Sequence, residues 1–152
     1  MTNVATHDTP AKLQCADHLV RIDLEDHGMP GRFEQLWARK LDGRNFEICC
    51  VPFFAYDIAL GDIVETDNEF TVRRVVDKSG HKVIRVAVVN EGAAQKLHPI
   101  LHEWVESTRL LYEWHGAGYL AIDVPEERAQ SIDIRLLSDL AKRGEVYFET
   151  LE

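Results

Sequence analysis

The stretch Lys82–Thr150, KVIRVAVVNEGAAQKLHPILHEWVESTRLLYEWHGAGYLAIDVPEERAQSIDIRLLSDLAKRGEVYFET, decides the fold. Lys82 to Val89 is apolar and β-branched enough for a strand. Asn90 can cap a helix whose Ala94, Leu97, Leu101, Trp104 and Val105 share one face. Pro99 either kinks that helix or begins a shorter one. Leu110 to Trp114 reads as a strand, His115-Gly116-Ala117-Gly118 as a turn, and Tyr119 to Val124 as the next strand. Pro125, with Glu126 and Glu127 behind it, suits the first turn of a second helix, buried along Ala129, Ile132, Leu136 and Leu140. Gly144 ends that helix, and Glu145 to Thr150 forms a last strand. Strand, helix, strand, strand, helix, strand is the ferredoxin-like split βαβ order. Right-handed crossovers then place both helices on one face of the sheet.

Upstream the period is that of strands. His18 to Leu24 alternates, with Val20, Ile22 and Leu24 on one side. In Phe33 to Arg39, Glu34, Leu36 and Ala38 face opposite to Phe33, Gln35, Trp37 and Arg39. Asp42-Gly43 predicts a type I′ turn into Asn45–Val51, which Pro52 ends. Phe53 to Leu60 is too apolar for an exposed loop and reads as a helical turn plugging one end of a sheet. Strands Ile63–Thr66, Phe70–Val76 and Lys82–Val89 follow, separated by Asp67-Asn68 and Lys78-Ser79-Gly80. The expected fold is α+β: a tail over 1–17, an antiparallel β-sheet or small barrel over 18–78, and a ferredoxin-like half over 79–152.

The 152 residues carry 17 Lys and Arg against 26 Asp and Glu, a net charge of −9. Residues 1–31 hold two basic and five acidic groups, residues 32–90 nine of each, and residues 91–152 six and twelve. The excess therefore lies mainly in the second half. This balance argues against nucleic acid or an anionic membrane as partner, since both need a basic face. No apolar run approaches the ~20 residues of a membrane span, and the polar start lacks a leader pattern, so a cytoplasmic protein is expected. Cys15, Cys49 and Cys50 form neither a disulfide framework nor a zinc set.

Candidate chemistry is sparse. His98 and His102 stand four apart before Glu103, but the order is not HExxH, and a solvated helix face explains them. Ser79-Gly80-His81 puts a hydroxyl beside an imidazole inside a turn, where adjacent residues seldom align as nucleophile and base. Arg85, if turned inward, needs a carboxylate, for which Asp57 or Asp62 is suited. These four, Asp57, Asp62, His81 and Arg85, could line a polar cleft between the halves. Cys49 and Cys50 have no basic residue or His within three positions and read as buried. Trp104, Tyr112 and Trp114, with Glu103, Glu106, Glu113 and His115 nearby, could instead form an aromatic face with an acidic rim.

Several words are recognisable: Glu34-Gln35-Leu36-Trp37-Ala38, Pro52-Phe53-Phe54 with Gly61-Asp62-Ile63-Val64, Ser79-Gly80-His81 with Arg85-Val86, and Leu120-Ala121-Ile122-Asp123-Val124-Pro125. Together they resemble a widespread bacterial family known only as a domain of unknown function, over roughly residues 18–150. That family often carries Asn where this chain has Cys50. Small families of this kind are often immunity proteins beside toxins. The expectation is therefore a non-catalytic protein-binding module, an immunity-type inhibitor meeting a basic toxin through Glu103, Trp104, Glu106, Glu113, Trp114 and His115. No catalytic residue, metal or cofactor is assigned. The alternative is a ligand sensor or enzyme using the four cleft residues.

Overall fold

The structure is a computed structural model and describes residues 3–149. The chain divides into two compact units, Met1–His81 and Lys82–Glu152. The boundary falls just after the Lys78-Ser79-Gly80 turn rather than before it.

In the first unit, strands β1 (Val4–Ala5), β2 (His18–Asp23), β3 (Phe33–Lys40), β4 (Asn45–Ile48), β5 (Ile63–Thr66) and β6 (Val72–Asp77) form one sheet. Its order is β1-β3-β4-β5-β6, with β2 paired to β3. The sheet curls but does not close, so the small-barrel alternative gives way to an open sheet. Alternation sets the core: Val20, Leu36, Ala38, Phe46, Ile48 and Val64 point inward together. The Asp42-Gly43 turn is not type I′, because Gly43 alone takes a positive φ, 59°.

Residues 3–16 are not the trailing tail the sequence suggests; residues 1 and 2 lie outside the described residues. Val4 and Ala5 pair in parallel with Phe33 and Glu34, and the Phe33 N–H donates to the Asn3 carbonyl at 2.8 Å. This brings His7 inside, where its Nε2 lies 2.6 Å from Glu34 Oε2 and its ring stacks on Phe53 at 4.1 Å. Trp37 Nε1–H closes the contact by donating to the His7 carbonyl at 3.0 Å.

Glu34 is fully buried. Its oxygens accept the backbone N–H groups of Phe53 (2.7 Å), Phe54 (2.9 Å) and Ala55 (3.0 Å). One carboxylate thus satisfies three consecutive donors in a segment with no regular structure to satisfy them. Phe53, Ala55 and Ile58 to Leu60 are buried as expected of a plug, while Tyr56 and Asp57 between them are exposed, and the segment is a series of turns, not a helical turn.

A second buried carboxylate, Asp62, repeats the device. It accepts from Ala59 N (3.0 Å) and Ser79 N (2.8 Å), with Ser79 Oγ at 3.0 Å and Lys78 Nζ at 3.5 Å. Gly61 has φ +86°, and a Cβ there would come within 3.1 Å of Ser79 Cβ, so this close approach requires glycine.

In the second unit, β7 (Lys82–Val88), α1 (Glu91–Thr108), β8 (Tyr112–Trp114), β9 (Tyr119–Val124), α2 (Arg135–Lys142) and β10 (Val146–Phe148) follow in chain order. The sheet order is β10-β7-β9-β8, all antiparallel, which is the ferredoxin-like arrangement. Ile84, Val86, Leu120, Ile122 and Val146 share one core with Leu97 and Leu101 of α1 and Leu137 and Leu140 of α2, so both helices cover the same face. Asn90 caps α1 by accepting from Gly92 N at 2.8 Å, and the helix continues through Pro99. The second helix starts later than the pattern predicts. Glu126–Arg128 is a 3-10 turn, and α2 begins only at Arg135. Thr150, the expected end of β10, lies outside the described residues.

Burial raises the Glu34 carboxyl, but the hydrogen bond and charge of His7 and the N–H groups of Phe53 and Phe54 outweigh it, so it sits below its ordinary 4.5. Its contribution to stability is complete above pH 4.5 and is lost as the pH falls through the lower folded value. We expect Glu34→Ala to cost about 3–5 kcal/mol in urea unfolding at neutral pH, as removal of one partner from a buried pair does. Glu34→Gln should flatten the acid limb of the stability profile; an unchanged limb would show that Glu34 does not govern it.

Candidate functional site on helix α1 and strand β8

One face of α1 presents His98, His102 and Glu106 at successive turns, the i, i+4 spacing that stacks side chains. Beside them runs β8, an edge strand of its sheet. Tyr112 and Trp114 point to the helix side because they pair with Ile122 and Leu120, both in the core. The result is a cluster of rings. His98 lies 4.2 Å from the Trp114 ring, and the two imidazoles stack at 5.7 Å and 9° from parallel. Tyr112 meets His102 edge-on at 5.7 Å.

Trp114 Nε1–H donates to His102 Nδ1 at 3.3 Å. An indole nitrogen is a donor only, so in this bond Nδ1 is unprotonated and the neutral ring carries its proton on Nε2. That nitrogen faces Glu106 Oε1 at 4.0 Å. Burial and a hydrogen bond with the Glu106 carboxylate raise the Tyr112 phenol above its ordinary value. Both nitrogens of His102 are thus occupied, one by the indole and one by its own proton. The His98–His102 spacing stacks the two rings against each other and against Trp114. Ser107 and Thr108 each donate at 2.5 Å to carbonyls of their own helix, Trp104 and Val105, so neither hydroxyl is poised as a nucleophile.

The structure redistributes the aromatic face expected from sequence. Trp114 and Glu106 come together through His102. Trp104 lies on the opposite flank of α1, where its indole N–H donates to the Asp133 carbonyl at 3.1 Å. Glu103 is exposed on the solvent side of the helix, and His115 is exposed in the β8–β9 turn, its ring edge-on to Tyr119. Glu113 is no part of an exposed rim. It alternates with Tyr112 and Trp114, so it points to the sheet face opposite the helices and is buried. Conversely, His98 and His102 are not a plain solvated face. The signal for them was available: on a helical wheel they fall beside the Leu97–Leu101–Val105 stripe, where side chains border the core.

The four cleft residues take separate roles. Asp57 is exposed and lines a groove in the first unit with Asp23, Asp26 and His27. Asp62 is buried in the clamp already described, with Ser79. His81 is half-buried, and its backbone N–H donates to Ser79 Oγ at 3.2 Å. Arg85 is buried on the non-helical face of the second sheet. The Glu149 carboxylate, one residue past β10, lies 3.4 Å from its Nη1, where Asp57 or Asp62 was expected. Arg85 and Glu113 flank Ala121 across three strands, and Asp123 follows on the same face. Burial pushes the Cys49 thiol up to about 11, which keeps it protonated and a poor nucleophile.

Two measurements check this geometry. Nitrogen-15 spectra above neutral pH should show His102 as the Nε2–H tautomer; an Nδ1–H signal would break the Trp114 bond assigned to it. A thiol reagent should modify exposed Cys15 in the native protein and Cys49 and Cys50 only on unfolding.

No curated protein matches the chain. Among solved structures, the chain is similar to a hypothetical protein from Neisseria gonorrhoeae, with 20% identity, a TM-score of 0.67, and coverage of 88% of this chain and 94% of that one. At that identity the likeness speaks for the fold. The family described as a domain of unknown function, DUF4265, matches residues 34–148, from the buried Glu34 through β10, and the chain belongs to that family.

Proposed function

We propose that the protein is a non-catalytic protein-binding module that meets a basic protein through α1 and β8, in the manner of an immunity-type inhibitor covering a toxin. The observation that carries this reading is the ring cluster of His98 and His102 on α1 with Tyr112 and Trp114 on the edge strand β8, with the Glu106 carboxylate 4.0 Å from His102 and Glu103 exposed on the solvent side of the same helix. Aromatic groups held rigid by their neighbours bind at small entropic cost. The surplus of acidic groups over 91–152, twelve against six, steers a basic partner toward this half. The carboxylates best suited to catalysis are already engaged: Asp62 holds Ser79 and Ala59, and Glu34 holds Phe53 to Ala55. That weakens the rival reading, an enzyme or ligand sensor built on Asp57, Asp62, His81 and Arg85.

Affinity capture from the protein's own cells should retain a basic protein, with binding that weakens as salt rises. Trp114→Ala should lower affinity at least about tenfold, the effect of losing a central aromatic anchor. Glu103→Lys with Glu106→Lys should mainly slow association. A retained partner that is acidic, or that binds this charge-reversed variant equally well, would sink the proposal, as would the absence of any partner.

A further inference from the structure

The sheet of the first unit curls until its outer strands β2 and β6 meet at one point. There Arg21 and Thr71 form an isolated parallel bridge, the Arg21 N–H donates to the Phe70 carbonyl at 2.9 Å, and Arg21 Nε donates to Thr71 Oγ1 at 2.9 Å. Beyond this bridge the two strands run on without pairing. The gap is a groove of about 490 Å³, walled by Ile22 and Asp23 of β2 and by Val72–Val75 of β6, and ended by Glu25–His27 and Asp57. That volume lies within the roughly 300–1,000 Å³ of ligand-binding clefts.

Two properties say what it takes. The first is backbone. β2 pairs with β3 and β6 with β5, so the other edge of each strand is left unpaired along the groove. Unpaired edges are templates for a further strand. The second is charge. Arg73 and Arg74 are already matched, with Asp67 at 3.3 Å and Glu65 at 3.2 Å. Asp23, Glu25, Asp26 and Asp57 form no ion pair with any described residue, so the uncompensated charge around the groove is negative. Ile22, Ile58, Val72 and Val75 supply the apolar part of the lining.

We infer that this groove accepts an extended peptide strand that alternates basic and apolar residues, added along the free edge of β6. Main-chain hydrogen bonds to the β6 edge hold it. Its apolar side chains lie on Ile22, Ile58, Val72 and Val75, and its Lys or Arg side chains reach Asp23, Asp26 and Asp57. The site lies in a different unit from the α1–β8 face and stands independently of the function proposed above.

The test titrates an alternating Lys-Val octapeptide, capped at both ends, into the full chain and follows backbone amide resonances. Shifts should fall on residues 22–27, 57–58 and 71–75, and the Val72–Val75 amides should gain protection from hydrogen exchange. N-methylation of alternate peptide amides should weaken binding about tenfold or more, the equivalent of one or more lost hydrogen bonds. Asp23→Asn with Asp57→Asn, both at exposed positions and with Asn keeping an oxygen to accept the Glu25 N–H, should weaken it similarly, whereas Trp114→Ala should leave it unchanged. Equal binding of the N-methylated peptide overturns strand addition, and equal binding of a Glu-Val octapeptide overturns the basic specificity. Absence of binding, or shifts confined to other residues, overturns the site itself while leaving the α1–β8 proposal untouched.

Discussion

The first unit depends on one buried carboxylate. Glu34 lies on the inward face of β3, and without partners a charge there would be expelled from the core. Four hydrogen bonds hold it: one from the His7 imidazole and three from consecutive backbone amides at Phe53, Phe54 and Ala55. Those contacts organise elements distant in sequence. The N-terminal segment is drawn in as β1, because His7 must reach Glu34. The irregular Phe53–Leu60 segment becomes a buried plug, because its donors have a fixed acceptor. A buried loop without such an acceptor would leave its amides unsatisfied, at a cost of about 1–3 kcal/mol each.

The Asp62 clamp applies the same logic at the start of β5. Its carboxylate ties the Gly61 turn to Ser79, and glycine is needed because the two turns approach too closely for a side chain. This gives the words that carry the family likeness a physical content. Pro52-Phe53-Phe54, Gly61-Asp62 and Ser79-Gly80 belong to, or adjoin, segments held by buried carboxylates. Their residues are engaged with the backbone of their own unit, a structural use of groups that by composition alone could pass for catalytic ones.

In the second unit the two faces of the sheet differ in chemistry. One is apolar and covered by α1 and α2. The other carries Arg85, Glu113 and Asp123, all buried. The α1–β8 ring cluster sits at the margin of the apolar face, where the core stripe of the helix gives way to solvent. There Trp114 and Tyr112 keep one side packed and one side accessible, and the indole N–H finds His102. Rings so placed are held by one another and by the core beneath them.

Sequence by itself determined the α+β class, the ferredoxin-like order of the second half, and most strands, because periods of 2 and 3.6 report which side chains face a core. It also placed Glu34 in phase with Leu36 and Ala38, the visible sign of an inward acid. It marked the second half as the acidic one. Only the tertiary structure decided the partners of these groups. His7 precedes Glu34 by 27 positions, Ser79 follows Asp62 by 17, and Arg85 lies 64 positions before Glu149. The separation of Trp104 from Trp114, and the burial of Glu113 behind the sheet, follow from which flank of a helix and which face of a strand each occupies. Local periodicity sets a side chain's direction; what it meets there is set by chain segments that periodicity cannot see.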